Sequence, residues 1–299
     1  MTQRIIKRLL CLVCLCGCCL GVVSAQGDMN KRAYVLFDNT GKEITYGELV
    51  KQLSGYDIVF LGEIHNCPIT HWLEFEIARS MYAIHKDKLM LGAEMLESDN
   101  QLILDEYMQR QISYDHFEAE ARLWDNYNTD YYPVVFFAKE HGIPFVATNI
   151  PRRYANSVKN KGIEVLDSLS DEAKRYIAPL PVPFEYNEKE SEAAFSMMNM
   201  LGGKQSGDNR KLAQAQAVKD ATMGWFIAHT MKHKFLHING NYHSDFKGGI
   251  IPYLLRYRPG TKVVTVTSVR QESIHQLDEE NKDRADFYIC VPEDMVNSY

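Results

Sequence analysis

Apolar residues along the chain follow two rhythms that alternate. From Tyr56 to Leu61 (YDIVFL) they run together, as in a strand buried on both faces. From Thr70 to His85, Trp72, Phe75, Ile77, Ala78, Met81 and Ile84 recur near the 3.6-residue period of an amphipathic helix. Pro68 stands just ahead of that helix, where its fixed φ and missing N–H do least harm. The pair then repeats: Lys88 to Met95 (KLMLGAEM) reads as a buried strand, Asp99 as a helix cap and Gln101 to Met108 as the start of a helix. Val134 to Glu140 has helical spacing, Gly142 to Pro144 turns, and Phe145 to Thr148 (FVAT) is a further short strand. Strand–helix alternation of this kind predicts an α/β fold, a central, mostly parallel sheet flanked by helices.

Between Arg152 and about Lys232 only helical spacing remains, interrupted by the Pro-rich APLPVPFEY (178–186) and by LGGKQSGDNR (201–210), which reads as a loop. A helical insertion over 152–232 is expected. Strand patterns return at Phe235 to Ile238, followed by a turn at Asn239 and Gly240, a helix from Gly249 to Arg256, and strands at Lys262 to Val269 and Phe287 to Val291. One domain over residues 30–299 accommodates this order, with its first and last thirds sharing a sheet.

The first 25 residues fit no part of that sheet. Arg4, Lys7 and Arg8 precede an apolar run from Leu9 to Val23, the charged and apolar parts of an export signal, too short for the roughly 20 apolar residues of a membrane span. Cleavage is expected after Ala25, or before Cys18 if Leu15-Cys16-Gly17-Cys18 acts as a lipobox. Five of the seven cysteines lie in this stretch, which leaves Cys67 and Cys290, too few for a disulfide framework. Loss of the three leader cations takes the formal net charge from −6 to −9. An acidic surface argues against nucleic acid and against direct binding to anionic lipid, so membrane contact would come only through a lipid anchor. With 45% of residues apolar, one large core is available.

Ligands of open parallel sheets bind outside the carboxyl ends of the strands. Glu63 and His65 follow the first predicted strand, Glu94 ends the second, Asn149 and Arg152 follow the third, and Asn239, Asn241 and His243 follow the fourth. Glu94 is the sharpest signal, because a carboxylate inside LMLGAEML is costly unless paired or metal-bound. An ion pair with Arg152 would satisfy it structurally, and His243 would equally serve as an exposed turn residue.

Five blocks resemble, in order, those of the ChaN-like haem-binding lipoproteins, part of a wider group that includes the erythromycin esterases and Tiki proteases. They are FLGEIHN (60–66), LGAEML (91–96), WDNYNTDYYPVVFFAKEHGIPFVATNIPRR (124–153), AQAQAVKDATM (213–223) and HINGNYHSDFKGGIIPYL (237–254). The resemblance implies haem binding in iron acquisition at the cell envelope, either anchored at the outer membrane or periplasmic, with envelope haem-transport components as partners.

Haem needs an apolar surface, an axial ligand, and cations or amides for its propionates. Phe195, Met197, Met198, Met200 and the helix Ala213 to Ile227 offer the surface, and Gln216, Asp220 and Met223 share one face of that helix. Seventeen tyrosines, three of them in YNTDYY (127–132), nominate Tyr131 or Tyr132 as exposed axial ligands, with His65 and His243 behind them. Asn149, Arg152 and Asn241 are candidate partners for the rest of the cofactor. A homodimer sandwiching haem would shield it from water. The alternative is an esterase or peptidase built on Glu63, His65, Glu94 and His243, with a divalent metal such as zinc held by those four and Tyr131. Neither a Gly-x-Ser-x-Gly elbow nor a His-Glu-x-x-His helix is present, so serine-hydrolase and zincin chemistry lack support.

Overall fold

Eight strands form one sheet in the order β2-β1-β8-β7-β3-β6-β4-β5. The computed structural model describes residues 31–187 and 208–299. The expected leader and Phe195, Met197, Met198 and Met200 lie outside the described residues. Strands β1 (Val35–Asp38) and β2 (Glu43–Ile44) make an antiparallel edge, and β1 also runs antiparallel to β8. All other pairings are parallel, among β3 (Ile58–Glu63), β4 (Leu89–Glu97), β5 (Phe145–Asn149), β6 (Lys234–Gly240), β7 (Val263–Gln271) and β8 (Phe287–Pro292).

The helices are α1 (Tyr46–Leu53), α2 (Pro68–His85), α3 (Gln101–Met108), α4 (Tyr114–Glu120), α5 (Tyr132–His141), α6 (Arg152–Lys161), the short α7 (Asp171–Lys174), α8 (Asn209–Thr230) and α9 (Ile250–Tyr257). Among the described residues, no helix is long and apolar enough to cross a membrane.

The continuous apolar runs of β3 and β4 exist because helices cover both faces of the sheet. On β3, Val59 and Leu61 pack into a core shared with Leu73 and Ile77 of α2, while Ile58 and Phe60 pack with Met223 and Ile227 of α8 and Leu254 of α9. Each large side chain buried in this way contributes about 1.5–3 kcal/mol. Met223 is therefore a core residue under the sheet and does not line a cofactor surface, because its neighbours there are Ile58, Phe60 and Phe235.

Several boundaries differ from the sequence reading. Asp99 caps no helix. The residue before α3 is Asn100, whose side chain makes no cap bond, while Asp99 pairs with Arg122 and Arg153. Glu94 sits within β4, which continues to Glu97, and Asn239 and Gly240 complete β6 instead of turning. Helix α2 is also turned relative to its apolar stripe. Trp72 and Ile84 are about half exposed, whereas Thr70, His71, Leu73, Glu74, Ile77, Ala78 and Met81 face inwards. Cys67 and Cys290 are both buried and free.

Candidate functional site

The carboxyl ends of β3, β6 and β4 are held in close register, and two glycines allow it. Glu63 lies opposite Gly240, and Gly62 opposite Asn239. A Cβ on Gly62 would come within 2.8 Å of Asn241 Oδ1, and one on Gly240 within 2.8 Å of the His65 ring. These are the glycines of the Gly-Glu-x-His and Gly-Asn-x-His blocks, so each block brings its polar residue against a bare backbone. Strand β4 adds a bulge. Its pairing with β5 runs to Ala93↔Ala147 and resumes at Glu97↔Asn149. The extra residues aim Glu94 across the rim, where its Oε2 accepts from the Gly240 amide at 2.8 Å.

Two buried clusters result. In the first, Glu63 Oε1 accepts from His65 Nδ1 at 2.6 Å and from the Tyr131 hydroxyl at 2.7 Å. Its Oε2 lies 3.5 Å from His71 Nδ1, which donates to Glu74 Oε2 at 3.0 Å. His71 Nε2 donates to the His65 carbonyl at 3.1 Å and stands 3.4 Å from Asp130 Oδ2. Asp130 is held by Asn126 and by the Ser298 hydroxyl, both at 2.7 Å. In the second cluster, His243 lies between Glu94 and Asp220, with Nε2 3.1 Å from Glu94 Oε1 and Nδ1 2.5 Å from Asp220 Oδ1.

Burial opposes charge at every one of these groups, and the neighbours decide which side wins. Burial would raise the pKa of Glu63, but the His65 hydrogen bond and the two imidazoles carry it below the ordinary carboxylate value. Glu74 is pushed well up by burial and by Glu63 beside it, so of this pair Glu74 keeps the proton. Burial would lower both His71 and His243, yet the carboxylates around each raise them to about 10. Glu94 is depressed because His243 outweighs its burial. Both inner histidines are thus cations at neutral pH.

His65 is the exception in exposure. Its side chain is 41% exposed, its ring meets Trp124 edge-on at 4.9 Å, and Glu63 raises its pKa against the effect of burial. Among the described residues its Nε2 has no hydrogen-bond partner.

Glu63, His65, Glu94 and His243 therefore share one rim, but the other expected residues divide. Tyr131 is buried in a π-helical turn (Tyr127–Tyr131), where burial and Glu63 raise its pKa, so the phenolate needed for iron is disfavoured. Tyr132 packs with Tyr114 and Phe136. Neither is an exposed loop ligand. Asn149 donates to the Glu94 carbonyl and backs the bulge. Arg152 is 71% exposed, with Glu97 4.0 Å away, and does not pair with Glu94, whose partners are Gly240 and His243.

Asn241 clamps β7 through Ser268 and Thr267, so its side-chain polar atoms are taken up by that strand. Gln216 and Asp220 are buried on α8, with Asp220 on His243. The foursome assigned to zinc is already tied up at Glu94 and His243. Among the described residues, the trio whose ligand atoms converge is Glu63, His71 and Glu74.

Sequence reasoning missed His71, Glu74, Asn126 and Asp130. The first two are three residues apart on one face of α2, and a His–Glu pair one turn from the Gly-Glu-x-His block was the available signal. In the HTMKHKFLH stretch, His237 is wholly buried between Thr148 and Asn239, and burial lowers its pKa to about 4, so it is a neutral core residue.

A mostly parallel sheet with acidic and imidazole groups gathered at its carboxyl rim defines an α/β protein with a polar strand-end site. The chain belongs to the family described as "Haem-binding uptake, Tiki superfamily, ChaN", which it matches over residues 49–254. Its fold is similar to that of ChaN of Campylobacter jejuni, solved as a case of cofacial heme binding, with TM-score 0.66 and 19% identity over 86% of this chain and 96% of that one. An erythromycin esterase mutant, EreC in its open conformation, overlaps at TM-score 0.45 and 13% identity, over 87% and 83% of the two chains. The chloroplastic protein RETICULATA-RELATED 5 of Arabidopsis thaliana is 26% identical over 179 residues, 57% of this chain. The chain spans about a quarter of that relative's length, 24%.

Proposed function

We propose that this protein binds haem at the carboxyl rim with His65 as axial ligand, and that it serves haem acquisition at the cell envelope. The observation that carries the reading is the state of His65. It is a half-exposed imidazole whose Nδ1–H is held by a buried carboxylate, with Nε2 left free among the described residues. That is how proteins orient metal-binding histidines, since the second-shell carboxylate fixes the tautomer and raises ligand basicity. When bound, haem supplies an iron that accepts the Nε2 lone pair. The chain's own part is to hold the ring, with Glu63 on one side, Trp124 at its edge and bare Gly240 beneath. Arg152, exposed just after β5, is the cation proposed for a propionate.

The expected signal, with cleavage after Ala25 or lipidation at Cys18, supports export. A flat apolar ligand at an open rim favours a second copy of the chain as its cover. Haem titration followed by absorbance tests the assignment. The wild type should give a saturable Soret shift at micromolar haem, and His65→Ala should weaken binding at least about tenfold. An unchanged titration in that variant removes His65 as ligand.

A second reading is favoured by the clamp on His243. A haem ligand needs no buried Asp220–His243–Glu94 chain beside it, whereas ester or peptide hydrolysis with His65 as general base would use a positioned cation and carboxylate. Glu94→Gln abolishing hydrolysis while the Soret shift persists would select this reading.

A further inference from the structure

We propose that Glu63, His71 and Glu74 form a buried site for one divalent first-row transition cation, distinct from the haem reading and from the Glu94–His243 clamp. Three observations support it independently of function. First, one ligand atom from each residue lies within 4.8 Å of the others, and His71 Nδ1 is 3.0 Å from Glu74 Oε2 and 3.5 Å from Glu63 Oε2. Donors bound at about 2.0–2.2 Å around one tetrahedral ion stand about 3.3–3.6 Å apart, so the Glu63–His71 spacing already fits and the other side chains reach it by sub-ångström to ångström shifts.

Second, Glu63 Oε2 and Glu74 Oε1 are buried and have no hydrogen-bond partner, although the two residues are only 2% and 1% exposed. Two facing buried carboxyl groups with no donor from any other residue at these oxygens are costly, and a cation between them would replace the proton that Glu74 otherwise keeps and the one on His71 Nδ1, releasing both to solvent. Third, His71 Nε2 donates to the His65 carbonyl, the outer hydrogen bond that sets a ligating imidazole with its other nitrogen inwards.

The donor set selects the ion class. One imidazole with two carboxylates suits Zn²⁺ and its neighbours, while Mg²⁺ and Ca²⁺ prefer oxygen alone. Asp130 lies on the far side of the His71 ring, at Nε2, and orients it without joining the ligands. Glu63 links this site to the rim, because Oε1 holds His65 and Tyr131 while Oε2 faces the cation position. A cation here would join the first turn of α2 to the end of β3. Since all three side chains are buried, loading would accompany folding.

The test uses the full chain produced with zinc supplementation and no haem, dialysed against metal-free buffer and analysed for metal. We expect about one zinc per chain in the wild type and less than about a tenth of that in Glu74→Gln. A wild type without stoichiometric zinc overturns the site, as does wild-type zinc content in the variant. Should Glu74→Gln not fold, the Co²⁺-loaded wild type decides. Visible absorption of a four-coordinate nitrogen–oxygen site supports the proposal, and the spectrum of hexaaqua cobalt overturns it. Metal content is read without haem, so a failed Soret titration leaves this result standing, and the converse holds.

Discussion

The two inner histidines occupy similar charge environments but different hydrogen-bond ones. His243 has a carboxylate at each ring nitrogen, and both Glu94 oxygens are satisfied, one by His243 and one by the Gly240 amide. His71 is surrounded by Glu63, Glu74 and Asp130, yet Glu63 Oε2 and Glu74 Oε1 receive no hydrogen bond from outside that cluster. A closed network of this kind fixes position, whereas an unfinished one marks a place where something else binds. The rim therefore divides into a rigid half, which holds β4, β6 and α8 together, and a half with ligand capacity, which includes the exposed His65.

The largest effect should come from breaking the closed half. His243→Ala strands two buried carboxylates and should lower the unfolding free energy by about 3–5 kcal/mol. His71→Ala should lose less, about 1–3 kcal/mol, because part of its surroundings is already unpaired. Urea titrations of both variants without added metal would show the order, and the reverse order would break the comparison.

Next comes pH. The folded pKa of His243 stands at about 10, above the ordinary 6.5, so its contribution is complete below pH 6.5 and is lost as pH rises through about 10. Glu94 is shifted the other way, so its contribution is present above its ordinary 4.5 and fades as pH falls below that. Denaturation midpoints should decline on both sides of a plateau, and His243→Ala should flatten the alkaline side. The smallest effect belongs to Tyr131→Phe, which removes one of two donors to Glu63 Oε1 while His65 still holds that oxygen, and should cost about 0.5–1.5 kcal/mol. Its Soret spectrum should match the wild type. A lost spectrum would return the axial role to Tyr131.

The sheet was readable because strands buried on both faces have to be apolar throughout, as β3 and β4 are, and because helices recur between them. The residues that reach the rim were readable for a related reason. Glu63, Glu94 and His243 sit where apolar runs end or are interrupted, and polarity there has to be explained. His71 and Glu74 were hidden by the same logic. On a helix, polar residues read as the solvent face and apolar ones as the core, whereas here Trp72 and Ile84 are about half exposed and His71 and Glu74 face inwards. Tyr131 misled through composition: three tyrosines close together look like a loop, but a π-helical turn buries the one whose hydroxyl reaches Glu63. Asn241 shares a block with His243, yet its short side chain ends on β7. Adjacency in sequence at a strand end does not mean a shared direction.

Gly240 fixes how closely the imidazole of His65 can approach the sheet. A β-carbon at that position would come within 2.8 Å of the imidazole, so the His65 ring would have to move. In this protein the orientation of His65 on Glu63 and the missing β-carbon at position 240 are therefore one feature, and Gly240→Ala would disturb the imidazole before it disturbed the sheet.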